Sequence, residues 1–308
     1  MGYISRREMI KYSGLVAGAF LAGAGDSAAS DKTLHIASNQ YSWSVYFGRD
    51  GRDFNKPLED GFKAVAASGM NGFEPLATEP EQIALYAPLI KANGLEMRSL
   101  YVNSVLHDRQ KATESIDSVL AIAEKAKSAG TKIIVTNPSP IQWGDSKSKD
   151  DGQLKIQAAS LETLGKKLAA MGMTLAYHNH DIELRNAARE FHHMMVGTDP
   201  QYVKLCLDSH WVYRGSGDSA VALFDIVKLY ASRIVELHLR QSNDGIWSET
   251  FAEGDIDYTA LASCLLKARI KPHIVLEQAP EKGTPKTMTT VPALRKSCEY
   301  ARRIFAGF

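Results

Sequence analysis

Cysteine is scarce in this chain of 308 residues, which carries only three: Cys206, Cys264 and Cys298. An odd, scattered set excludes a disulfide framework and a thiolate metal site. An excess of charge is missing too. With 36 basic against 35 acidic residues, the chain has no electrostatic footprint for nucleic acid or an anionic membrane surface. No glycine-rich phosphate loop follows the first expected strand, where Ala37-Ser38-Asn39-Gln40-Tyr41 stands instead, and this argues against a doubly wound dinucleotide fold. There is no low-complexity segment or linker, and residues 145–151, rich in Lys, Ser and Asp, read as a solvated loop. The most apolar stretch near the amino terminus, residues 15–24, is too short and too weakly apolar to span a membrane.

What the chain does contain is one arrangement four times over, a short apolar run stopping at a residue able to bind a metal. Residues 173–177 lead to His178, 203–207 to Asp208, 233–237 to His238 and 273–276 to Glu277. From His178 to Asp208 and from Asp208 to His238 the interval is 30 residues each, close to the length of one strand-helix-strand unit. The longer step to Glu277 leaves room for an inserted loop. Four buried strands would bring these side chains to one mouth. Two imidazoles and two carboxylates suit one divalent ion, Mn, Co, Zn or Fe rather than Ca, with Mg also admitted.

The amino terminus has the layout of an export signal. Arg6-Arg7 precedes a Gly/Ala-rich apolar run and small residues through Ala29, with cleavage expected after Ala24 or Ala29. The pair resembles the twin-arginine type, so residues 1–30 are expected to direct export to the periplasm and residues 31–308 to form the mature domain. Within that domain the periodicity predicts a first strand and an aromatic loop over 33–43, then strands over 71–76, 95–102 and 131–136, followed by the four ligand-bearing ones. Helices are expected at 57–69, 81–94, 113–130, 153–172, 187–195, 219–232, 258–268 and 292–305. Eight strands alternating with eight helices indicate a parallel α/β architecture, the (β/α)8 TIM barrel.

Side chains two apart on a strand point the same way. His180 is therefore expected beside His178, His210 beside Asp208 and Arg240 beside His238. His180 and His210 are candidate acid–base groups, or supports that orient a ligand. Glu74 reads as a further carboxylate at the mouth, a base or a brace for its loop. Asn137 is a candidate substrate contact or a turn residue. Trp43, Trp211 and Trp247 fall in or beside expected βα loops, either stacking on a sugar ring or packing.

The motifs Tyr177-His178-Asn179-His180-Asp181, Leu207-Asp208-Ser209-His210-Trp211, Glu236-Leu237-His238-Leu239-Arg240, Glu253-Gly254-Asp255-Ile256-Asp257 and Val275-Leu276-Glu277-Gln278 resemble, in order, those of the xylose isomerase-like barrel superfamily. The resemblance covers essentially the whole mature chain. It implies a single divalent metal (Mn, Co, Mg or Zn) held by His178, Asp208, His238 and Glu277, and a sugar or cyclitol losing a proton next to its carbonyl. In the epimerases of that group two glutamates trade the proton between faces. Here His178 stands at the first of these positions, while Glu277 keeps the second. Arg240-Gln241, where many relatives carry Lys-Asp, and Ala279, where an acidic residue is common, also depart from the pattern.

The leading expectation is thus a metal-dependent isomerase or epimerase acting on a small carbohydrate. The alternatives are a lyase or dehydratase that eliminates from a keto sugar, keto glycoside or inosose, and a noncatalytic sugar-binding barrel. No nucleic acid partner is expected, and no membrane span after signal cleavage.

Overall fold

Short runs rich in Val, Ile and Leu, bounded by turn residues, cannot close a stable helix and instead form strands buried on both faces. The computed structural model describes residues 34–308, so the expected export signal lies outside the described residues. Eight strands build the sheet: β1 Ile36–Asn39, β2 Gly72–Glu74, β3 Ser99–Tyr101, β4 Ile133–Thr136, β5 Thr174–His178, β6 Val203–Asp208, β7 Ile234–Leu239 and β8 His273–Leu276. All pair in parallel, in the order β2-β1-β8-β7-β6-β5-β4-β3. The two ends of that order meet through the bridges Gly72–Glu96 and Leu76–Tyr101, with the Ala77 N–H donating to the Tyr101 carbonyl at 3.0 Å. Gly72 is required there, because a Cβ would lie 2.7 Å from the Glu96 carbonyl oxygen. The result is the TIM barrel that the alternation of elements predicts.

Two apolar layers result. The larger packs the outer faces of the strands against the helices, with Phe73, Leu175, Leu207 and Leu237 among its buried members. The smaller, Tyr101, Val135, Ala176 and Cys206, fills the ring itself. One irregularity bears on the site. Between β6 and β7, Leu205 pairs with Ile234 but Cys206 pairs with Glu236, so Val235 is an extra residue on β7. A bulge of this kind re-aims the side chains beyond it, and here it brings His238 level with Asp208.

The structure departs from the expected elements in two places that matter. After β1 the chain does not run into a loop, because the Asn39 side chain accepts the Tyr41 N–H at 2.8 Å and starts the helix Gln40–Arg49. Trp43 sits on that helix with none of its surface exposed. Its Nε1 donates to Ser38 Oγ at 2.7 Å, and its ring packs against Phe47 and Phe54. It is a core residue and not a platform for substrate. After β6 a second extra helix, Ser209–Gly215, begins at once. Among the described residues no helix is long and apolar enough to cross a membrane.

Candidate metal centre

Strand ends fix four side chains around one point. His178, Asp208, His238 and Glu277 each offer a ligand atom, and those atoms lie within 4.8 Å of one another. His178 Nε2 is 3.8 Å from Asp208 Oδ2 and 3.9 Å from Glu277 Oε2, while His238 Nδ1 is 3.1 Å from Glu277 Oε2. His178, Asp208 and His238 are fully buried, and Glu277 keeps 7 % of its surface. His178 Nε2 and Asp208 Oδ2 are buried without any hydrogen-bond partner. Orphaned polar atoms of this kind are costly, and a divalent cation accepting both lone pairs would relieve them. The donor set, two imidazole nitrogens and two carboxylates, fits such an ion.

Neighbouring residues set the orientation of each ligand. The Tyr101 hydroxyl, 3.4 Å from His178 Nδ1, leaves Nε2 facing the centre. Asn179 clamps Asp208 through two hydrogen bonds, its Nδ2 donating to the Asp208 carbonyl and its Oδ1 accepting the Asp208 N–H, both at 3.1 Å. Oδ1 of Asp208 caps the following helix by accepting the Trp211 N–H at 2.8 Å, so Oδ2 is the oxygen left over. Arg240 donates from Nε to the Glu277 carbonyl at 3.0 Å and holds Oε2 with Nη2 at 3.3 Å.

The charges follow from this packing. Burial pushes Asp208 up to about 8, with Glu277 adding to the rise and Arg240 opposing it. Burial drives His178 well below its usual range, helped by the neighbouring His238. It also opposes charge on Glu277, yet Arg240 and His238 hold that carboxyl well below its usual value. His238 is raised in spite of burial, by Cys206 and Glu74. In the metal-free protein, then, Asp208 and His238 carry protons that a cation must displace, whereas His178 and Glu277 do not. The apparent affinity for Mn is expected to rise with pH between 6 and 8, by roughly tenfold per unit for each proton displaced. Titration calorimetry across that range checks it, and a flat profile would contradict the assignment.

The remaining expected residues are placed unequally. His180 lies just past β5, its ring 4.9 Å from that of His178 and framed by Trp211 at 5.7 Å and Trp143 at 5.2 Å. Its Nδ1 is buried without a partner. Arg240 stacks on Trp247 at 4.0 Å and Trp211 at 5.1 Å, with Tyr41 at 5.7 Å, so these aromatic groups and the guanidinium form one wall. His210 is not on the strand with Asp208 as the two-residue period suggested. It sits in the helix Ser209–Gly215, and its Nε2 pairs with Ser242 Oγ at 2.9 Å.

Glu74 does not stand free at the mouth either: it is fully buried, 3.0 Å from His238 Nε2 and accepting from Asn39 Nδ2 at 2.6 Å. Asn137 is likewise a buried brace, donating to the His178 carbonyl at 3.0 Å and to Glu183 at 3.2 Å. The sequence motifs contain Asn179 and Glu236 without assigning them a role, and Glu183 and Trp143 carried no signal at all. Glu236, two positions before His238 on β7, was within reach of the alternation argument, whereas Trp143 lies in a loop that carries no periodic signal.

Comparison with known proteins adds four findings. A family model described as "Xylose isomerase-like TIM barrel" matches residues 62–303. An inosose dehydratase from Salmonella agona is 29% identical over 152 residues, covering 44% of this chain and 50% of that protein. The chain thus spans about half the length of that curated relative. Among solved structures, a xylose isomerase-like TIM barrel protein from Mycobacterium smegmatis in complex with magnesium gives a TM-score of 0.70 at 14% identity, covering 89% of this chain and 97% of the other. A 3-keto-D-glucoside 4-epimerase from E. coli gives 0.67 at 17% identity, covering 88% and 99%. At these identities the two structures share the fold.

Proposed function

Since the chain belongs to the xylose isomerase-like TIM barrel family, we propose that it is a divalent-metal-dependent lyase that eliminates water or an alcohol from an uncharged keto sugar or keto-cyclitol. The observation that carries this reading is an unpartnered imidazole nitrogen beside the four ligands. His180 Nδ1 is buried and free, while the Glu277 carboxylate is taken up by His238 and Arg240 and His178 fills the place of a second glutamate. Elimination needs one group that takes a proton and returns it to the leaving oxygen. Inverting a carbon centre needs two groups on opposite faces.

A metal held by His178, Asp208, His238 and Glu277 would polarise the substrate carbonyl and make the adjacent C–H acidic. His180, whose pKa burial lowers to about 4, is neutral at physiological pH and ready to accept that proton. As the carbon–carbon double bond forms, the bond from the next carbon to its oxygen breaks. The proton on Nδ1 then passes to that oxygen, releasing water or an alcohol. Arg240 and Trp247 orient the ring against the wall. The two guanidinium groups near the mouth, Arg214 and Arg240, are already paired with Glu281 and Glu277, which favours an uncharged substrate over a phosphorylated one.

A second reading, isomerase or epimerase, draws on Glu277 being the one ligand with surface toward solvent, and so able to serve as a second proton carrier. Incubation with Mn and candidate keto sugars or inososes in deuterated water separates the two. The lyase yields an unsaturated ketone and one molecule of water or alcohol, whereas an epimeric product with deuterium at the inverted carbon would overturn the lyase reading. Export remains part of the proposal on Arg6-Arg7 and the run to Ala29, to be checked by finding the mature protein in a periplasmic fraction.

A further inference from the structure

Beneath the four ligands, on the side away from the mouth, two carboxylates close on one nitrogen. Glu74 Oε1 is 3.0 Å and Glu236 Oε1 is 3.2 Å from His238 Nε2, and all three side chains are fully buried. Glu74 is anchored from the other side by Asn39 Nδ2 at 2.6 Å, and Glu236 has Cys206 Sγ at 3.6 Å. Each glutamate arrives by a different structural device. Asn39, which ends β1 and caps the helix after it, holds Glu74 across the β1–β2 pair. Glu236 is phased with His238 by the extra residue Val235 on β7. Neither belongs to the four-residue group at the centre, although with His238 the two form a second cluster whose ligand atoms also lie within 4.8 Å of one another, and the mechanism above uses neither.

We propose that Glu74 and Glu236 are positioning residues that lock His238 as the tautomer hydrogenated at Nε2, so that Nδ1 alone faces the cation. The proposal rests on the metal reading given above and adds which atom of His238 serves it. Glu74 Oε1 already accepts from Asn39 Nδ2 and Glu236 Oε1 from Cys206 Sγ, so both oxygens facing Nε2 are acceptors and that nitrogen keeps its hydrogen. The opposite nitrogen, 3.1 Å from Glu277 Oε2, is then the lone pair available to a metal. An imidazole whose far N–H is bound to a carboxylate is fixed in orientation and is a stronger donor. His178 has no such carboxylate, only the Tyr101 hydroxyl at 3.4 Å from Nδ1, so the two imidazoles are unequal ligands.

Two measurements test this. In proton–nitrogen spectra of protein labelled at histidine, the Nε2–H of His238 is expected to be protected from exchange in both the metal-free and the Mg-loaded forms. The variants Glu74→Leu and Glu236→Leu each remove one partner of a buried pair, so their melting temperatures are expected to fall, and a melting curve establishes that the protein measured is folded. Their affinity for Mn is expected to fall about 10–100-fold, and the visible spectrum of the Co-loaded variants to shift. A merely structural role would move the melting temperature and leave affinity and spectrum as they were, which would overturn the proposal. So would Nε2 as the metal-bound nitrogen, or two ions bound per chain with the second on Glu74 and Glu236. If the parent protein binds no divalent ion, the metal reading fails, and the tautomer is decided at a pH where His238 is neutral by which nitrogen keeps its hydrogen, Nε2 supporting the proposal and Nδ1 overturning it.

Discussion

Asp208→Asn is expected to abolish stoichiometric Mn binding and to lower turnover by roughly a thousandfold or more. A bound metal supplies several kcal/mol of charge stabilisation, and each 1.36 kcal/mol is tenfold in rate. The substitution is close to isosteric, so it separates chemistry from folding. The Asn side-chain oxygen can still accept the Trp211 N–H that Oδ1 accepts at 2.8 Å, keeping the start of the helix Ser209–Gly215. What changes is Oδ2, the buried oxygen without a partner, which becomes an amide nitrogen unable to donate a lone pair to a cation. Because burial holds Asp208 up near 8, the metal-free parent already tolerates a neutral group there, and the variant should match its thermal stability. Calorimetric titration with Mn and a melting curve together check this. Retained stoichiometric binding would remove Asp208 from the ligand set.

His180→Asn tests the other half of the site, with a fall in kcat of about 10²- to 10⁴-fold expected for loss of the acid–base group and little change in metal affinity. His180 has no strand to hold it, since β5 ends at His178. It is fixed instead by its backbone N–H donating to Glu183 Oε2 at 2.6 Å and by the flanking rings of Trp211 and Trp143. Asparagine keeps that backbone bond and removes the imidazole. Because the imidazole is neutral above about 4, its own titration should not limit the rate between pH 6 and 8. The acid limb of the pH profile in that range belongs to metal loading and should vanish at saturating Mn. Steady-state kinetics with Mn held in excess decide the point, and a variant with parental kcat would mean that another group carries the proton.

These two side chains also mark how far local sequence could be read. A strand and the residue that ends it are local events: apolar runs of four to six residues bury themselves on both faces, and the polar residue after them falls at the rim. The regular spacing of His178, Asp208 and His238 follows from the repeated strand-helix unit, so the barrel and the convergence of the four side chains were legible. The two-residue alternation carried the reading correctly only where the strand continued. It failed for His210, because Asp208 caps a helix that starts at the next residue, and for Trp43, because Asn39 does the same after β1.

Sequence by itself determined the fold class and which four side chains stand at neighbouring strand ends, because periodicity and chain order are enough to build a ring of parallel strands. Tertiary structure alone decided depth. Whether Glu74 faces solvent or the underside of His238 depends on its partner Asn39 one strand away and on the bulge at Val235 that brings Glu236 beside it. Whether Asn137 meets substrate or braces the His178 carbonyl depends on a residue 41 positions further along. Contacts of that range leave no period in the chain. They arise only when closing the ring brings distant strands into one layer.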